Sequence, residues 1–131
     1  MRAVDTGILL ALLEGSARAR ESLRRLRGTE LATTEANLLE LITIASAAPS
    51  KTRNARLETL ERLRQRLTVL PVDSRATREV VRRGGRALER LSPHVIGMLG
   101  ALEAAGCQEL VTDDRDLAGG DWSFRVRVLT V

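Results

Sequence analysis

Aromatic residues, cysteine, lysine and histidine are scarce in this sequence, and each shortage excludes something. Aromatics make up 2% of the chain, with Trp122 and Phe124 the only two. A core must therefore be built from Leu, Val, Ile and Ala, and a base-stacking platform of the single-strand-binding type is not expected. Cys107 stands alone, which rules out an internal disulfide and fits a reducing, cytoplasmic setting. With His94 as the only histidine, no Cys/His zinc site of the usual spacing can be assembled. Lys51 is the only lysine among 21 basic residues. The formal net charge of +4 suits a polyanionic partner, although arginine in place of lysine also follows from a GC-rich genome. Near the N-terminus the apolar run Ile8 to Leu13 lies between Asp5 and Glu14. That is far short of the ~20 residues a membrane span requires, and no signal-peptide cleavage pattern follows, so no membrane association is expected.

What is present is enough for one core. At 131 residues and 44% hydrophobic content, a single domain over 1–131 is expected. Short apolar strands alternate with amphipathic helices. "RAV" reads as a first strand, and "TGILLALLEG" as a helix stopping near Gly15. "ARARESLRRLRG" is helical to Gly28, and "TELATT" holds a second strand. From Thr34, "TEANLLELITIASAAP" is a helix with a polar stripe of Asn37, Glu40 and Thr43, ended by Pro49. A polar loop with Lys51 and Arg53 follows. "ARLETLERLRQRL" then lines up Leu57, Leu60, Leu63 and Leu67, and "TVLPVD" supplies a strand. Ser74 is the expected cap of the helix "RATREVVRRGGRALERL", which Gly84 and Gly85 interrupt. "SPHVIGMLGALEAAG" starts with Ser92 as cap and Pro93 in the first turn, and stops at Gly106. "QELVT" and "FRVRVLTV" are the last strands, the second an expected edge. This rhythm predicts a three-layer α/β domain with a mainly parallel central sheet. Ligands of such sheets collect beyond the carboxyl ends of the strands.

Acids stand at those ends. Asp5 follows the first strand, Asp114 and Asp116 follow "LVT", and Glu40 lies in a helix packed beside the sheet. Two carboxylates about 4 Å apart repel by about 4 kcal/mol at an effective dielectric of about 20, so a convergent set calls for a cation. Hard oxygen ligands select Mg²⁺ or Mn²⁺, the usual means of activating water against a phosphodiester. Singly, each acid has an ordinary reading: Asp5 as a helix cap, Glu40 in a solvated stripe, "TDDRD" as a turn.

Taken together, "AVDTGILLALLEG", "LATTEANLLELI" and "ELVTDDRDL" resemble, in order and spacing, the motifs of the PIN domain family, especially the small ribonuclease toxins (VapC-like) of toxin–antitoxin pairs. The resemblance implies a PIN-like α/β/α fold and a metal-dependent endoribonuclease. It makes Asp5, Glu40 and Asp114 the catalytic, metal-holding acids, Glu40 being preferred to Glu35. Asp116 is implied as an additional metal acid, with Thr6 and Thr112 in supporting positions. His94 stands where the family carries an aspartate, with one extra residue before Gly106. Neutral imidazole is a poor Mg²⁺ ligand and a fair one for Mn²⁺. Two readings therefore stay open: an RNA-cleaving toxin, or a catalytically impaired RNA-binding or protein-interaction scaffold. The resemblance further implies RNA as substrate, an antitoxin protein as partner and a homodimer. Arg53, Arg56 and Arg115 are candidates for guiding the RNA backbone. A receiver-type phosphoacceptor domain also uses strand-end aspartates, but no lysine follows the final strands to serve that chemistry.

Overall fold

The computed structural model describes residues 1–130. Five short strands are present among them: β1 (Arg2–Val4), β2 (Leu31–Thr34), β3 (Thr68–Leu70), β4 (Glu109–Thr112) and β5 (Arg127–Thr130). They form one sheet in the order β3-β2-β1-β4-β5, and every pairing is parallel. Around it run α1 (Thr6–Leu13), α2 (Ala17–Arg25), α3 (Glu35–Ser46), α4 (Ser50–Gln65), α5 (Ser74–Arg83), α6 (Ala87–Arg90), α7 (Pro93–Ala104) and α8 (Arg115–Gly119).

Strand alternation sorts the core into two halves. Ala3, Ala32 and Leu110 point to one face, where they meet Met98, Leu99 and Leu102 of α7, Ala87 of α6 and Leu117 of α8. Val4 and Val111 point to the other, against Ile8 and Leu9 of α1, Leu38 and Leu41 of α3 and Leu60 of α4. The result is the expected three-layer arrangement, with α1 to α4 over one face and the later helices over the other. Close approach of α5 and α7 depends on Gly100, where a Cβ would stand 2.6 Å from the Ala76 carbonyl oxygen.

Three local readings of the sequence are corrected. Lys51 and Arg53 lie in the first turn of α4 rather than in a loop, because the Pro49 carbonyl accepts the Thr52 and Arg53 N–H groups, each at 2.9 Å. Asp73, not Ser74, caps α5, taking the N–H groups of Arg75 and Ala76 at 3.0 and 3.2 Å. Asn37 is buried rather than part of a solvated stripe, while Glu40 and Thr43 of that row are exposed.

Sequential strands run outward from β1 in one direction through β2 and β3, and the chain then returns to the opposite side of β1 as β4 and β5. The order therefore reverses between β1 and β4. A crevice opens at such a switch point beyond the strand ends.

Candidate active site

At that switch point Val4 pairs with Val111, so the next residues of the two strands, Asp5 and Thr112, leave the sheet side by side. Asp5 caps α1: its Oδ1 accepts the Ile8 N–H at 3.2 Å. Its Oδ2 accepts the hydroxyl of Thr112, which is fully buried. The same Thr112 oxygen accepts the Asp114 N–H at 3.0 Å, fixing the turn that follows β4. Asp114 in turn caps α8, taking the N–H groups of Asp116 and Leu117 at 3.0 and 3.1 Å. One threonine thus ties together the two aspartates that its neighbouring strands deliver.

Burial pushes the Asp5 carboxyl above its ordinary range. The Thr112 hydroxyl and the Ile8 N–H oppose that shift, whereas the negative charges of Asp113 and Asp114 add to it.

Across the crevice, Asn37 of α3 is the hub of a buried polar network. Its Oδ1 accepts the Thr6 hydroxyl at 3.2 Å, and its amide donates to Thr33 Oγ1 at 3.2 Å and touches Met98 Sδ at 3.2 Å. His94, in the first turn of α7, places Nε2 2.9 Å from Asn37 Oδ1 and 2.9 Å from Glu40 Oε2. Both neighbours are acceptors, which suits Nε2 as the donor to them. Asn37 and Glu40 are three residues apart on α3 and share one side of it.

Asp5, Thr6, Glu40, His94 and Asp114 line one cavity of about 200 Å³, joined there by Gly7, Asn37 and Asp113. Asp113 and Gly7 belong together: a Cβ at residue 7 would collide with the Asp113 carboxylate. Asp116 lies elsewhere, in an adjacent groove with Arg90, Arg115 and Trp122. Arg53 and Arg56 lie on α4 and line neither cavity. Sequence reading missed Asn37, Gly7 and the inward role of Asp113. The available signals were an amide three residues before Glu40 in an apolar helix, and a glycine at the second position of α1.

Carboxylates of Asp5, Asp113 and Asp114 form a hard-oxygen set whose mutual repulsion a small divalent cation would relieve, so the donor chemistry fits Mg²⁺ or Mn²⁺. Glu40 has one oxygen engaged by His94. Among the described residues no three Asp, Glu, His or Cys side chains are grouped so that together they could hold a metal ion.

Comparison with protein families matches the PIN domain over residues 2–119. Comparison with curated proteins gave no match. Among solved structures, VapBC-5 of Mycobacterium tuberculosis, a member of the VapBC family of toxin–antitoxin systems, is 25% identical, with TM-score 0.72 and coverage of 98% of this chain and 97% of that one. VapBC2 of Rickettsia felis, solved bound to a DNA fragment from its promoter, superposes with TM-score 0.80 at 12% identity, over 99% of this chain and 98% of that one. VapC20 of M. tuberculosis, a toxin that cleaves the sarcin–ricin loop, gives TM-score 0.67 at 21% identity, over 97% and 99%. The last two likenesses are of fold.

Proposed function

The chain belongs to the PIN domain family, and from that premise we propose that it is a metal-dependent endoribonuclease, the toxin of a toxin–antitoxin pair. The observation that carries this reading is the meeting of Asp5, Glu40 and Asp114, from three separate parts of the sequence, in one cavity at the sheet's switch point. Asp5 and Asp114 would hold Mg²⁺ or Mn²⁺, with Glu40 as the acid from the facing helix. When bound, the cation would lower the pKa of a water and offset charge growing on the scissile phosphate. Thr112 orients Asp5 and fixes the backbone of Asp114. Thr6 and Asn37 hold the opposite wall in place. Asp116, in the adjacent groove, would act as an outer acid.

RNA is the proposed substrate. An antitoxin protein is the proposed partner, in keeping with the VapBC complexes that share the fold. Exposed apolar side chains support a homodimer: Leu39 and Ile42 lie on one face of α3, and Val81 and Leu88 are also exposed. A cytoplasmic location agrees with the unpaired, buried Cys107. Among the described residues no helix is long and apolar enough to cross a membrane.

The test is cleavage of total RNA by wild type and Asp114→Asn, with Mg²⁺ or Mn²⁺ against EDTA. Metal-dependent cleavage that falls at least about tenfold in the variant supports the nuclease. A second reading, the impaired scaffold, is favoured by the His94 contact with Glu40. It requires that folded wild type leave RNA intact under both metals, and that His94→Asp restore cleavage.

A further inference from the structure

Beside the acidic cavity lies a groove of about 570 Å³. The two share Val95, Asp114 and Leu117, so the groove opens directly off the candidate active site. Its lining is apolar, cationic and acidic, the acids being Asp114 and Asp116. Leu91, Val95, Leu117 and Trp122 give an apolar wall, and the exposed Arg90 and Arg115 supply two guanidinium groups. Neither arginine forms an ion pair among the described residues. Trp122 is held in position: its Nε1–H donates to the Leu117 carbonyl at 2.8 Å, and the indole lies so close over Gly120 that a Cβ there would collide with the ring.

The apolar wall and the two guanidinium groups match a ligand with a flat apolar part and an anionic part joined covalently. The carboxylates of Asp114 and Asp116 balance the guanidinium charge until the cation proposed for the acidic cavity offsets that of Asp114. We propose that this groove seats a nucleotide of single-stranded RNA flanking the scissile bond, its base against Trp122, Leu91 and Val95 and its phosphate between Arg90 and Arg115. The inference rests on the nuclease reading and adds to it a path for the substrate. Guanidinium groups bind phosphate in planar, bidentate fashion, and a base packs on an aromatic ring whatever its identity. Scarcity of aromatics made a stacking platform unexpected from composition. A single indole placed beside the acids needs no such abundance.

Trp122 is the only tryptophan, so its fluorescence reports on this groove alone. The experiment titrates the whole chain, in EDTA so that no cleavage occurs, with a short single-stranded RNA. Wild type is compared with the double variant Arg90→Ala and Arg115→Ala, whose positions are exposed, with circular dichroism to confirm the fold. The expected result is saturable quenching of Trp122, weakened roughly tenfold in the double variant and with a shallower salt dependence. If RNA leaves Trp122 emission unchanged while Asp114-dependent cleavage persists, the groove assignment is overturned and the nuclease reading stands. Quenching that the double variant does not weaken also overturns it. If RNA is neither cleaved nor detected at Trp122, both fail. Quenching by a protein segment, with none by RNA, would assign the groove to a partner protein and overturn the proposal.

Discussion

Thr112 donates its hydroxyl to the carboxylate of Asp5 and accepts the N–H of Asp114, so one buried side chain at the end of β4 sets two acids at once. Thr112→Val keeps the shape and removes the hydroxyl. It leaves Asp5 with one donor fewer in a partly buried place, which costs about 1–3 kcal/mol. Chemical denaturation should show that loss for valine and near wild-type stability for Thr112→Ser.

Asp5 itself should cost the fold stability at neutral pH when no cation is present. Its folded pKa is raised above 3.8 by burial, with Asp113 and Asp114 adding to the effect. A raised folded pKa means a stabilising contribution that is complete below the unfolded value and lost as pH rises through the folded one. Asn also caps helices well, so Asp5→Asn keeps that role. In EDTA the variant should therefore melt higher than wild type at neutral pH, and the advantage should shrink on acidification toward pH 3.8. Melting curves across pH check this, and an advantage that grew toward acid would contradict it.

Gly7→Ala separates stability from site geometry. Alanine favours the helix by up to about 1 kcal/mol over glycine. Its Cβ collides only with the far end of the Asp113 side chain, which is exposed and can swing aside. Thermal stability should hold or rise slightly, while divalent-cation binding weakens because Asp113 leaves the cavity.

Gly100→Ala should behave in the opposite way. There the added methyl meets the Ala76 carbonyl and Val80, part of the α5–α7 contact, and backbone cannot swing aside. Overpacking of this kind costs about 1–3 kcal/mol. Denaturation measures the loss, and cation binding by the folded fraction should be unchanged.

The order of elements was legible because period and punctuation agreed. Gly15, Gly28 and Gly106 end helical segments with positive φ, and Ser92 with Pro93 starts α7 as its residue types require. Less legible was whatever depended on neighbours distant in sequence. Asn37 reads as part of a solvated stripe because amide side chains usually face water. Its burial follows from Thr6, Thr33, His94 and Met98, which converge on it from β2, α7 and the start of α1. Asp113 and Asp116 are indistinguishable in "TDDRD". Only the turn imposed by the Thr112 and Asp114 caps sends one into the acidic cavity and the other into the groove beside it. The PIN motifs single out Asp5, Glu40 and Asp114, which line one cavity, and the parallel register of β1 and β4 explains why the first and last of these meet.

The central claim is that acids from three parts of the chain serve one cation site at the β1–β4 switch point. The most direct measurement is a Mn²⁺ binding isotherm, by calorimetry or electron paramagnetic resonance, for wild type, Asp114→Asn and Glu40→Gln. A saturable site in wild type, weakened at least about tenfold in Asp114→Asn and measurably in Glu40→Gln, is the expected result. Absence of saturable binding by folded wild type, or equal binding by all three proteins, would contradict the claim.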